Sequence, residues 1–175
     1  MQRYTKTAIL LHWLIALLII AAFVMGLVMT GIAGFTPNKL RYFSWHKWIG
    51  VTVLALAAVR LLWRLWHRPP AHPAHLPAWQ NVAAEGVHWL LYGLMFAVPV
   101  SGYLYTLSAG VPVVYLGLWQ MPVLMAPNPE LKPLLREVHY WLDMTMAALV
   151  LGHAGAALKH HLVDRDSVLQ RMLPL

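Results

Sequence analysis

The chain has 175 residues, 60% of them hydrophobic and 11% charged, against about 25% charged in an ordinary soluble domain, so a water-soluble globular protein is excluded and an integral membrane chain is implied. It has no cysteine, which excludes covalent c-type haem, thiolate-held iron–sulfur clusters and zinc–thiolate sites. The formal charge of +7 belongs to no soluble basic region, so nucleic acid is not an expected partner; positive-inside topology and anionic lipid are.

Arg3 and Lys6 precede an apolar run of about 20 residues or more. That exceeds the roughly 7–15 residues of a signal-peptide core and predicts a retained span. Apolar windows of about 20 residues predict four spans, at about 7–30, 43–66, 84–107 and 136–162. The expected fold is therefore all-α, an integral membrane four-helix bundle forming one domain over 1–175.

Gly31, Gly34 and Pro37 mark the end of the first span. The proline-rich "HRPPAHPAHLP" that follows Trp66 cannot continue a helix, and its His67, His72 and His75 are expected to be solvated. The long apolar stretch between the last two spans is broken by Pro112, Pro122, Pro127 and Pro129. It reads as an interfacial or re-entrant cap, or alternatively as a belt loop with Tyr115 and Trp119 at the headgroups.

With both termini cytoplasmic, the inner side holds Arg3, Lys6, Arg60, Arg64, Arg68, Lys159, Arg165 and Arg171, eight of the 13 basic residues. The outer side keeps Lys39, Arg41, Lys47, Lys132 and Arg136, a positive group that needs its own reason.

Histidines inside apolar spans are costly without partners and mark function. His139 and His153 lie 14 residues apart, which returns them to nearly one helix face about 21 Å apart along the axis. His46 matches His139 in depth on the outer side, while His12 and His88 both match His153 on the inner side, so the second inner partner stays open. Two stacked histidine pairs suit two haems, because haem iron takes an axial ligand on each face and neutral imidazoles supply both.

Gly26, Gly50, Gly152 and Gly155 offer clearance for a macrocycle, or simply close helix approach. A proton pump would recruit several intramembrane carboxylates, and Asp143 alone lies within the spans away from their ends. A histidine-lined path for a transition-metal ion is the other alternative. Arg60 and Arg64 can pair with haem propionates or act as positive-inside anchors. His160, next to His161 at the end of the fourth span, can hand protons to a quinone or serve the helix C-terminus.

The motifs "LHW", "WHKWIG", "VRLLWRL", "VPVSGYL", "VHYWLD", "GHAGAALKHH" and the tail "HHLVDRDSVLQRMLP" resemble, in order and spacing, the bacterial cytochrome b561 family. The resemblance covers nearly the whole chain. It implies a diheme membrane cytochrome with two non-covalent haem b groups. His46 and His139 would ligate the outer haem and His12 and His153 the inner one, leaving His88 as a non-ligand beside a quinone.

The resemblance also implies an oxidoreductase that oxidises superoxide at the outer face of the bacterial inner membrane and reduces ubiquinone. Lys39, Arg41, Lys47, Lys132 and Arg136 would then steer the superoxide anion, and the inner haem edge, His88, Arg60 and His160 would border the quinone. The rival expectation is a membrane anchor and electron conduit between a dehydrogenase or hydrogenase subunit and the quinone pool.

Overall fold

A computed structural model describes residues 3–71 and 77–174, so His72 and His75 lie outside the described residues. Four long helices dominate: α1 (Lys6–Gly31), α2 (Pro37–Trp66), α3 (Ala78–Ser108) and α4 (Leu131–Leu162). All four are long and apolar enough to cross a membrane, where a helix satisfies every backbone polar group internally. The protein is thus an all-α four-helix membrane bundle.

The last three helices begin a turn or more before the apolar windows at 43, 84 and 136, because polar first turns continue the helix beyond the hydrocarbon-length stretch. Thr36 starts α2 by accepting from the Lys39 amide at 3.2 Å, with Pro37 in the first helical position. Asn128 prepares α4, its side-chain oxygen accepting from the Glu130 and Leu131 amides at 3.1 Å.

Helix α1 packs on α2, α2 on α3 and α3 on α4. The backbones of α4 and α1 do not approach each other in the same way, and the His12 and His153 imidazoles meet between them, while His46 and His139 meet between α2 and α4. A buried cluster of Ile15, Val53, Ala57, Tyr92, Leu94, Met95 and Met146 fills the middle of the bundle. Met146 lies midway between His139 and His153 in sequence, so this apolar plug separates the two histidine levels.

The α3–α4 connection forms no fifth long helix. It contains a short antiparallel hairpin, β1 (Val114–Tyr115) with β2 (Trp119–Gln120). Trp48 Nε1 donates to the Val114 carbonyl at 2.7 Å, and the Tyr115 hydroxyl meets Thr52 Oγ1 at 3.0 Å, deeper on α2 than His46. Tyr115 therefore reaches down along α2, while Trp119 stays exposed. Together with the short α1–α2 turn this α3–α4 connection forms the loop end; the described residues before α1, after α4, at the end of α2 and at the start of α3 form the terminal end.

The terminal end is tied together by its tail. Trp13 Nε1 donates to the Met172 carbonyl at 2.8 Å, the Tyr4 amide to the Arg171 carbonyl at 3.3 Å, and Arg171 to the Ala71 carbonyl at 2.6 Å. His67 is exposed, as expected, and stacks on Trp63 with centroids 3.9 Å apart.

Candidate functional site

At the loop end, α2 and α4 bring His46 and His139 together with ring centroids 6.1 Å apart and planes at 84°. His46 Nδ1 donates to the Ala22 carbonyl of α1 at 3.0 Å. Ser101 Oγ gives its own hydrogen to the Val98 carbonyl at 2.8 Å, so it accepts from His139 Nδ1 at 3.0 Å. His46 is thus protonated at Nδ1, and its Nε2 carries the lone pair that a metal needs; His139 is held at Nδ1 by Ser101.

Gly102, next to Ser101, lies directly against His139. A Cβ built there would come within 2.8 Å of the imidazole, closer than real contacts allow, so only glycine lets the ring occupy this place. Gly26 similarly borders His46, where a Cβ would make an ordinary 3.6 Å contact. Asp143, one turn after His139, brings Oδ2 to 3.2 Å from His139 Nε2. Ser101 and Gly102 escaped the sequence reading because their role crosses between helices; a Ser-Gly pair inside an otherwise apolar span is the signal that could have found them.

At the terminal end, His153 of α4 faces two histidines. Its centroid is 6.2 Å from that of His12 and 5.3 Å from that of His88. Two imidazoles bound to opposite sides of one metal by bonds of about 2 Å hold their centroids roughly 6 Å apart. The His46–His139 and His12–His153 separations are close to that spacing, and the His88–His153 separation is shorter.

Arg60 governs this end. Its NH1 donates to His12 Nδ1 at 3.0 Å and its Nε to the Tyr92 hydroxyl at 3.2 Å. His12 therefore accepts at Nδ1, the reverse of the loop-end pair. If Nε2 of His12 takes a metal, Nδ1 takes the proton and the Arg60 donor turns to another acceptor, such as a carboxylate. Arg64, one turn on, is bound to Glu85 at 3.1 Å and lies over the Trp89 and Tyr92 rings. Tyr4, outside α1, lies near these arginines; burial raises its phenol above the ordinary value, opposed by Arg64, Arg60 and Arg171.

Of the expected outer cations, Lys39, Lys132 and Arg136 converge on one open cavity of about 510 Å³, with Thr30, Phe43, Tyr105 and Pro133 completing its wall. Phe43 and Arg136 each lie about one turn before a loop-end histidine, so the cavity opens just outside that pair. Lys39 also donates to the Ile32 carbonyl at 2.7 Å. Arg41 is exposed and Lys47 half-buried, and neither lines the cavity. His160 turns to the tail, its Nδ1 lying 2.7 Å from Asp166 Oδ2 and 3.2 Å from Asp164 Oδ2.

Four apolar helices with two levels of facing imidazoles, both involving α4, define a class: helical membrane proteins built around paired intramembrane histidines. Known proteins make this specific. The family model for prokaryotic cytochrome b561 matches residues 3–175. Cytochrome b561 homolog 2 of Escherichia coli strain K12 is 32% identical over 173 residues, 98% of this chain and 92% of that protein. Cytochrome b561 homolog 1 of the same strain is 33% identical over 177 residues, 99% and 98% of the two chains. The probable superoxide oxidase CybB of Yersinia pestis is 34% identical over 179 residues, 99% and 97%.

The chain belongs to the prokaryotic cytochrome b561 family. It is a multi-pass membrane electron-transfer protein of a family that binds haem b. The residues present fit such a group on two counts: both pairs stand at about the centroid spacing that two imidazoles on one iron would take, and His46 donates from Nδ1, leaving its Nε2 to ligate.

Proposed function

We propose that this protein holds two non-covalent haem b groups, one between His46 and His139 and one between His12 and His153, and that it oxidises superoxide while reducing ubiquinone. The observation that carries this reading is the repeated pair spacing, 6.1 Å and 6.2 Å, at two levels separated by an apolar plug. Haem bound at each pair supplies reversible one-electron iron chemistry. Overall, two superoxide anions, one ubiquinone and two protons give two dioxygen molecules and one ubiquinol.

The loop end is periplasmic in this reading and both termini face the cytoplasm of a bacterium with the protein in its inner membrane. Lys39, Lys132 and Arg136 raise the local concentration of the anion at the cavity mouth. Arg41 and Lys47 add to the field from outside its wall. The name of the Yersinia pestis relative, a probable superoxide oxidase, supports the choice of donor.

At the terminal end Arg60 is the stronger candidate for a haem propionate, because Arg64 is already engaged by Glu85. His88, set beside His153, borders the quinone region. His160, oriented by Asp166, is placed at the tail to relay protons toward it.

The test is to generate superoxide enzymatically around the purified protein and follow its haem bands with and without ubiquinone. Rapid reduction that superoxide dismutase abolishes, followed by reoxidation on adding ubiquinone, is expected. Haem-loaded protein indifferent to superoxide would overturn the substrate assignment and leave the electron-conduit reading, in which a dehydrogenase subunit supplies the electrons.

A further inference from the structure

We propose that Lys39, Lys132 and Arg136 anchor the two propionate carboxylates of the loop-end haem, and that superoxide meets the cofactor at this anchored edge. Such anchoring rests on the proposed haem between His46 and His139 and deepens that reading by giving the cavity a resident anion. Lys39 lies seven residues before His46 on α2, and Lys132 seven residues before His139 on α4. Seven residues are close to two helical turns, so each lysine shares the face of its histidine about 10 Å nearer the loop end. Arg136 stands between, three residues before His139. The two helices that bring the loop-end histidines together thus repeat one outward spacing, histidine then lysine.

The three cations line one cavity of about 510 Å³, and among the described residues no carboxylate lines it with them. Positive charges gathered without a counterion repel one another at the edge of an apolar bundle, an arrangement that calls for a bound anion. Lys39 is held at the wall by donating to the Ile32 carbonyl at 2.7 Å, and its ammonium keeps two further donors. Arg136 offers a guanidinium, the group that pairs with carboxylates most specifically. A haem b is apolar over most of its surface and carries both carboxylates on one edge. With its iron at the level of His46 and His139, that edge avoids the apolar interior only by pointing to the loop end, because the buried cluster that includes Met146 lies on the other side. Phe43 and Pro133 in the cavity wall suit the apolar margin of the ring.

Two carboxylates take up two of the three charges. The remaining one, with Arg41 and Lys47 outside the wall, still attracts a monoanion, which then arrives at the haem edge and not at a protein side chain. Lys39, Lys132 and Arg136 are positioning residues in this scheme: they hold the cofactor and gather the anion, and no bond is made or broken on them. Arg41, which does not line the cavity, has no part in the anchoring.

The experiment reads haem retention and not activity. The full chain is synthesised into lipid nanodiscs with either haem b or its dimethyl ester, in which both carboxylates are uncharged, and loss of each to apo-globin is timed. A His12→Ala background leaves the loop-end site alone, and within it the cavity is kept intact, replaced as Lys39→Gln with Lys132→Gln and Arg136→Gln, or flanked by Arg41→Gln. The intact cavity is expected to hold haem b about tenfold or more longer than the ester. The triple replacement should bring that ratio toward one, and Arg41→Gln should keep it. Equal retention of haem b and ester by the intact cavity would overturn the anchoring while leaving the haem site in place. A ratio untouched by the triple replacement would do the same and leave these residues with steering alone. No haem of either kind at the loop end would overturn both the anchoring and the two-haem reading.

Discussion

The loop end and the terminal end hold imidazole pairs at nearly equal spacing, 6.1 Å and 6.2 Å, yet they prepare those rings in opposite ways. At the loop end, a carbonyl of α1 and a hydroxyl of α3 take the Nδ1 protons, and Gly102 leaves His139 just enough room. At the terminal end a guanidinium donates to His12 instead, and a third histidine crowds His153. Under the proposed function, shared spacing is what coordination at both ends would demand, while the surroundings are free to differ: ligation would require Asp143 to leave Nε2 of His139 at one end and Arg60 to leave Nδ1 of His12 at the other.

Breaking one end should leave the other. His139→Ala or His46→Ala is expected to lower haem from two to one per chain, and His12→Ala or His153→Ala to do the same at the opposite end, as read by haem quantification. His88→Ala, by contrast, should keep both. Loss of a haem with His88→Ala would show that the 5.3 Å neighbour, and not His12, is the ligand.

Gly102→Val is the next largest change, because its Cβ would meet His139 inside 3.0 Å while the terminal-end pair is untouched. The loop-end haem should be lost or its spectrum altered, with the other preserved. Ser101→Ala sharpens the same contrast more gently. Removing the partner of Nδ1 should weaken haem retention about 10–100-fold at the loop end alone, measured by haem transfer to an apo-globin acceptor.

Replacing Lys39, Lys132 and Arg136 together by glutamine should slow superoxide oxidation about tenfold at low salt and flatten its ionic-strength dependence. Arg41→Gln, outside the cavity wall, should change the rate less. An equal effect would mean that net charge and not the cavity matters. Arg64→Gln should do least. Its partner Glu85 is substantially exposed, so about 1 kcal/mol or less of stability is at stake and both haems stay bound.

The spans and the depth-matched histidines were legible in the sequence because membrane thickness and helical rise convert residue number into depth. Depth is one coordinate only. It could pair His46 with His139, where one candidate exists, but it could not choose between His12 and His88, which differ sideways across the bundle. The same limit hid Ser101 and Gly102, whose importance lies in facing α4, and the grouping of Lys39 with Lys132 and Arg136 apart from Arg41 and Lys47. Asp143 was visible as a lone intramembrane carboxylate, and only its 3.2 Å approach to His139 gave it a partner.

The most direct test of the central claim, two bis-histidine sites in one chain, is haem per polypeptide in the purified protein, measured beside His139→Ala and His153→Ala. Two b-type haems in the parent and one in each variant, with different spectra for the two that remain, are expected. A parent with a single haem, or variants that both retain two, would contradict it.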